Sequence, residues 1–232
     1  MSEIKTEKAF VAFIDLLGGS ELIENDPDGS LNVIHDCYEG VKKFIYERDK
    51  EPLTIPEIKI FSDNIILSIP LNDFDSDKSL FSAMSILVFS AYLQIYFWMN
   101  DLLVRGAITI GSYYEDDMMA WGKWLVKAHS LEGSLAIYPR IIIDPEIEDI
   151  MGEMCDLFKT SILTQDFDGI YFVDPYSLRR SKDISGFISG FIVDNQKRIE
   201  KNAGNYKVLQ KLHWLQNYFY EKERIANITV TN

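Results

Sequence analysis

Histidine and cysteine are scarce in this sequence, and their scarcity removes whole classes of chemistry. The three histidines among 232 residues, His35, His129 and His213, have no ligand spacing, so none is assigned to a metal. The two cysteines, Cys37 and Cys155, lack the paired spacing of a zinc site and would form at most one bridge. Glycine and proline, at 13 and 7, are too few for a collagenous, disordered or low-complexity chain. Basic residues are outnumbered, 23 Lys and Arg against 36 Asp and Glu, and a net charge of -13 opposes binding to phosphate backbones. Nucleic acid is therefore not an expected partner. The start, MSEIKTEKAF, has no apolar signal region, which together with the cysteine usage reads as a reduced, cytoplasmic protein.

What is present is apolar: 47% of residues are hydrophobic and 13% aromatic, enough for the core of one domain of ordinary size. One uncharged run, Ser79 to Asn100, is long enough to cross a bilayer. It carries Ser79, Ser82, Ser85, Ser90, Gln94 and Asn100, and a strand-like run follows at once, so it reads as a buried central helix and no membrane is expected.

Along the chain, Lys8 to Ile14 (KAFVAFI) has the aromatic and β-branched content of a buried strand. Gly18 and Gly19 then break the chain, and apolar residues recur with helical spacing at Val33, Ile34, Cys37, Val41, Phe44 and Ile45. Ile58 to Phe61 and Ile65 to Ile69 read as a hairpin turned at Ser62, Asp63 and Asn64. The uncharged helix, a strand over Leu103 to Ile110 and an acidic turn at Glu115, Asp116 and Asp117 complete a βαββαβ order. That order describes a ferredoxin-like, antiparallel α+β sheet with both helices on one face. Beyond it we expect a helix from about Gly122 to Leu135, a strand at Arg140 to Ile143, a helix after Pro145, a strand near Ile170 to Val173, and two final helices over about Ile184 to Lys201 and Tyr206 to Ile225. Residues 1–180 read as the catalytic domain, and 181–232 as a helical extension packed on it.

In this layout Asp15 ends the first strand and Asp63 tips the hairpin, and the two strands are neighbours. Two carboxylates at one sheet edge repel unless a divalent cation neutralises them, and with a Gly-containing turn beside them they suit Mg²⁺ or Mn²⁺ completed by substrate phosphates. Capping and turn formation are also ordinary uses of Asp. Asp166 and Asp168, before Gly169, read as a turn, and Trp214, Tyr218 and Phe219 as packing.

The segments around these residues carry a resemblance. Phe13-Ile14-Asp15-Leu16-Leu17-Gly18 resembles the F-x-D-x-x-G segment of class III nucleotide cyclases, and Lys59-Ile60-Phe61-Ser62-Asp63 is similar to their K-T-I-G-D hairpin. Arg105 to Gly111 (RGAITIG) resembles their R-x-G-I-x-x-G strand, and Trp121-Gly122 with the helix ending Ser130-Leu131-Glu132 resembles the next segment. The resemblance implies that Asp15, Asp63 and the Leu16 carbonyl hold two Mg²⁺ or Mn²⁺ ions. It further implies that backbone amides around Leu17, Gly18 and Gly19 cradle a triphosphate and that Lys59 contacts the base.

Departures from the pattern matter equally. The family's ribose-orienting Asn and transition-state Arg fall at Val126 and Ser130, and its adenine-selecting Asp at Met119. Lys123, Lys127 and Arg140 are the nearest replacement cations. These departures, with FSDN at the hairpin and YPRIIID after the helix, resemble the pyrimidine cyclases of bacterial Pycsar anti-phage systems. That resemblance implies a homodimeric enzyme making cyclic UMP or cyclic CMP for a separate effector. An apolar face at Leu209, Leu212 and Leu215 would provide the dimer contact. A palm-type nucleotidyltransferase, including a diguanylate cyclase, shares the sheet and metal logic, although Asp63 is followed by Asn64 rather than a second acid. A degenerate module that binds a nucleotide without turnover would suit the lost Asn and Arg.

Overall fold

In the computed structural model, which describes residues 4–48, 54–71, 77–147, 153–178 and 182–230, the sheet is organised around β1 (Glu7–Leu16). Its apolar run is buried on both faces, as a central strand must be. Phe10, Ala12, Ile14 and Leu16 face one core with Ile65, Leu67 and Ile69; Ala9, Val11 and Phe13 face the other with Ile66, Tyr113 and Ala128. β3 (Asn64–Pro70) and β4 (Val104–Glu115) flank β1 antiparallel, and β2 (Glu57–Phe61) pairs with β3 as an edge.

On the first face lie α2 (Pro27–Arg48), entered through the short α1 (Gly19–Asn25), and α3 (Asp77–Met99). The expected βαββαβ order is present. The sheet differs from the expected antiparallel one, because β6 (Ile141–Ile143) runs parallel to β4. α4 (Lys123–Ser134), after the two-residue β5 (Ala120–Trp121), crosses the second face and returns the chain to the same end. The strand order is β2-β3-β1-β4-β6-β8-β7. β8 (Tyr171–Val173) was expected; β7 (Leu163–Gln165) was not, since three residues leave no periodicity to read. The helix expected after Pro145 is seen at Glu153–Ser161 (α5), and residues 148–152 lie outside the description.

α3 has no charge along its apolar length because it is enclosed on nearly every side, with Ser85, Ser90 and Gln94 themselves buried. The thiol of Cys37 packs here too, pushed up to about 11 by burial; the side chain of Cys155 lies outside the described set. The last helices, α6 (Lys182–Lys201) and α7 (Tyr206–Val230), close over the end of α3. There Trp98, Phe191 and Phe219 form a triangle of rings with centroids 5.4–5.7 Å apart, and Asn195 bridges the two helices to the Leu212 carbonyl at 3.0 Å. One expectation is overturned: the α7 face that was to cover a second copy is covered within the chain, with Leu212 3% and Leu215 0% exposed and Leu209 half-buried.

Candidate active site

The corner between β1 and the β2–β3 turn brings Asp15 and Asp63 together. Asp15 lies opposite Asn64 on one side and Arg105 on the other. The Leu16 amide donates to the Asp63 carbonyl at 2.9 Å, hooking the hairpin tip onto the end of β1. Ser62 enters the tip with φ 56°, a left-handed value that costs a non-glycine residue energy and sets the direction of Asp63. The Asp63 carboxylate then accepts from Ser20 Oγ at 3.0 Å and from Asn64 Nδ2 at 3.2 Å.

Both glycines of the turn have a steric reason. Gly18 holds φ 79°, and a Cβ on Gly19 would fall 2.3 Å from Asp63 Cβ, so only glycine lets α1 begin against that carboxylate. Of the amides expected around a triphosphate, that of Leu17 is already committed to the Leu103 carbonyl at 2.8 Å. Those of Gly18 and Gly19 open the first turn of α1, where no intrahelical acceptor exists.

The sequence reading missed most of the surrounding charge. Arg105 Nε donates to Asp15 Oδ2 at 3.1 Å and lies 2.6 Å from Glu132 Oε1 on α4. Burial pushes the Asp15 carboxyl up, Arg105 pulls it down, Asp63 pushes it up again and Lys211 of α7 pulls it down. Glu132 is raised by burial as well, against Arg105. Two carboxylates thus share one guanidinium, with Asp63 and the half-buried Lys211 within electrostatic reach of Asp15. Arg105 and Glu132 lie in segments that had been noted for other reasons; Lys211 sits in a helical pattern with no local sign of a site.

Lys59 shares the Asp15 face of the sheet, one residue pair further along β2, and its ammonium donates to the Asp116 carbonyl in the β4–β5 turn. Asp116 Oδ1 accepts from the Met118 and Met119 amides, each at 2.8 Å, so Asp116 ties Lys59 of β2 to the turn that carries Met119. Two of the replacement cations are engaged elsewhere. Lys127 lies 2.6 Å from Asp144 and 2.7 Å from Glu146. Arg140 is fully buried and clamped by Asp166 and Asp168. Those aspartates also form the expected turn, with the Gly169 amide on the Asp166 carbonyl at 3.0 Å. Lys123 stands 5.5 Å over the Trp124 ring.

A cavity of about 640 Å³ lies away from this corner, between α7 and the β7–β8 hairpin. Trp214 and Tyr218 line it while also packing as expected, stacked 5.6 Å apart. Convergent charge, rather than volume, marks the Asp15 corner as the candidate site.

No protein family's sequence pattern matches the chain, and no curated protein does. Solved structures do. The monomeric guanylyl cyclase domain of the RhoGC fusion protein from the aquatic fungus Blastocladiella emersonii superposes with a TM-score of 0.50 at 15% identity, over 73% of this chain and 98% of that one. A rhodopsin-guanylyl cyclase catalytic core with converted specificity, in complex with ATPαS, gives 0.49 at 15% identity over 73% and 97%. A class III adenylyl cyclase-like ATP-binding protein from Pseudomonas aeruginosa gives 0.46 at 8% identity over 74% and 39%. The chain has the α+β fold of a class III cyclase catalytic domain. At such identities the likeness concerns the fold, and the chemistry must be argued from the residues.

Proposed function

We propose that the chain is a nucleotide cyclase converting UTP or CTP to the 3′,5′-cyclic nucleotide and pyrophosphate. The observation that supports this reading is the Asp15–Asp63 corner itself: two carboxylates delivered from neighbouring strands, fixed by the Leu16 and Ser20 hydrogen bonds and seated against a glycine that admits no side chain.

The donor set fits Mg²⁺ or Mn²⁺. No group of three or more His, Cys, Asp or Glu able to hold a metal occurs among the described residues. A pair of carboxylates with a backbone carbonyl, here Leu16, is what a hard cation accepts when phosphates and water complete its shell. Two such ions, when bound, supply a lowered pKa at the ribose 3′-hydroxyl and neutralise the triphosphate. The chain does the rest. Asp15 and Asp63 hold the ions, and the Gly18 and Gly19 amides face the phosphates. Arg105, steadied by Glu132, balances the charge that grows as the bond from the α-phosphorus to the bridging oxygen breaks and the 3′-oxygen bond forms. The 3′-proton leaves to solvent, and pyrophosphate carries away the bridging oxygen.

Pyrimidine preference follows from the turn that carries Met119. Its thioether offers no strong acceptor to an adenine amino group, and Lys59 is held at that turn by Asp116. Equal ATP, GTP, CTP and UTP in one reaction with Mn²⁺ should yield mainly cyclic UMP or cyclic CMP; an excess of cyclic AMP or cyclic GMP rejects the preference. The cyclic product would serve a separate effector in anti-phage defence.

The second copy of a homodimer fits the second face rather than α7. Met118, Met119, Trp121 and Val126 are exposed around β5 and α4, Trp121 at 69%, and together form the kind of apolar patch that marks an interface. Trp121→Glu should turn a dimer into a monomer by light scattering, and an unchanged dimer places the contact elsewhere.

One observation favours a binding module without turnover: α4 offers Val126 and Ser130 where a catalytic Asn and Arg would stand, and Lys127 is engaged by Asp144 and Glu146. Pyrophosphate release separates the two readings.

A further inference from the structure

The cavity beside α7 is built from rings, and its chemistry differs from that of the Asp15 corner. Tyr138, just ahead of β6, stacks on Trp214 at 5.6 Å with 9° between the ring planes, and Trp214 stacks on Tyr218 at 5.6 Å and 3°. The three make one aromatic wall. Phe167, at the tip of the β7–β8 hairpin, stands 5.7 Å from Tyr138 at 62° and is 76% exposed. An uncovered ring thus borders the cavity.

Its shape is fixed by contacts within the chain. Trp214 Nε1 donates to Asp166 Oδ2 at 2.7 Å and so ties α7 to the hairpin, and Gln165 Nε2 closes the hairpin turn on the Gly169 carbonyl at 2.9 Å. The volume of about 640 Å³ falls within the range of roughly 300–1,000 Å³ that small-molecule sites occupy. Each charge around it is matched within the chain: Asp166 by Arg140, Lys222 by Asp174 and Glu221 by Arg224. The rings have cations as well, with the Arg140 guanidinium 5.3 Å from the Tyr138 centroid and 6.0 Å from that of Trp214, and the Lys222 ammonium 5.8 Å from that of Tyr218. A cationic ligand would therefore meet Arg140 and Lys222, and an anionic one Asp166 and Glu221. What remains for a ligand is uncharged. Gln210 and Asn217, two turns apart on α7, line the cavity from exposed positions, and among the described residues their amides make no hydrogen bond.

We infer that this cavity binds an uncharged planar heterocycle of nucleobase or nucleoside size, at a site separate from the Asp15 corner and independent of the cyclase reading. A flat base stacks on aromatic side chains whatever its identity, and a side-chain amide offers a donor and an acceptor side by side, the complement of a base edge. Because the wall and the hairpin are already joined, little ordering accompanies binding.

The test is a calorimetric titration without divalent ions, using uracil, cytosine, adenine and their nucleosides, with UMP, CMP and AMP as the charged counterparts. At least one uncharged probe should bind saturably with a Kd below about 1 mM, and its monophosphate should bind more weakly. Phe167→Ala removes an exposed ring and should weaken that binding by about tenfold, and Asn217→Ala by about threefold or more, each with the melting temperature of the wild type. Phe167→Tyr should keep the affinity. Asp63→Asn should bind as the wild type does, because the corner takes no part. The inference is overturned by the absence of saturable binding with every uncharged probe, by wild-type affinity in either Phe167→Ala or Asn217→Ala, by a tighter monophosphate, or by loss of binding in Asp63→Asn. None of these outcomes bears on pyrophosphate release, which tests the cyclase reading alone.

Discussion

Arg105 on β4 and Arg140, just ahead of the parallel strand β6, stand one residue before the paired Gly106 and Ile141, and each lies between two carboxylates. Around Arg140 the charges are matched by geometry. Its two terminal nitrogens reach Asp166 and Asp168, Trp214 adds a second donor to Asp166, and the guanidinium is fully buried. Burial pushes Asp168 up, but the Arg140 hydrogen bond and the Ile170 amide hold it below the usual carboxylate range. Around Arg105 the charges do not balance: Asp15 and Glu132 are both held above the usual range by burial, and Asp63 adds a third negative group. A satisfied set locks structure, whereas a set with surplus negative charge held in a rigid corner is prepared for cations from outside.

The largest effect that would sharpen this contrast is catalytic. Asp15→Asn removes one charge with nearly unchanged shape, and losing one well-placed electrostatic partner costs roughly 10²–10³ in rate, with more expected where a metal is lost as well; initial rates of pyrophosphate release with Mn²⁺ measure it. Next is stability on the other side: Arg140→Met leaves Asp166 and Asp168 without their cation and should cost about 3–5 kcal/mol in denaturant unfolding. A cost near zero would mean that the clamp is not structural. Gly19→Ala comes third. The new methyl meets Asp63, so turnover should fall about tenfold to a hundredfold through misplacement of the carboxylate, while far-UV circular dichroism remains native.

The smallest effect is a pair of opposite pH slopes. A carboxyl raised in the folded state stabilises the fold below its unfolded value, and that contribution is lost as pH rises through the folded one. For Asp15 and Glu132 the loss therefore begins as pH climbs above 3.8 and 4.5. Asp168 is lowered, so its contribution is present above 3.8 and lost as pH falls through its folded value. In melting curves without divalent ions, Asp15→Asn should gain on the wild type as pH rises to neutrality. Asp168→Asn should fall furthest behind at neutrality and recover in acid. Parallel slopes would erase the distinction between the two sets.

The two regions were not equally legible in the sequence. Asp15, Gly18, Gly19 and Asp63 could be singled out because each sits in a short segment whose local chemistry, a strand end or a turn, marks its place. Arg140 and Lys127 could be seen as cations but not as engaged ones. The partners of Arg140 are in the β7–β8 turn, those of Lys127 follow β6, and no periodicity reports which charges a fold will join. The same ignorance of partners explains the apolar face of α7: amphipathicity shows that Leu212 and Leu215 need cover, not whether a second copy or the chain itself supplies it. The electrostatic influence of Lys211 on Asp15 was invisible because it depends on how α7 packs, which joins residues far apart in the sequence.

The central claim is that two similar charge sets divide function from structure, and one paired assay addresses it. Pyrophosphate release from UTP and CTP with Mn²⁺ is measured for Asp63→Asn and Asp168→Asn side by side, below the melting temperature of both. The account predicts that Asp63→Asn is inactive with its fold intact and that Asp168→Asn is less stable yet turns over at close to the wild-type rate. Full activity in Asp63→Asn, or loss of activity in folded Asp168→Asn alone, would contradict it.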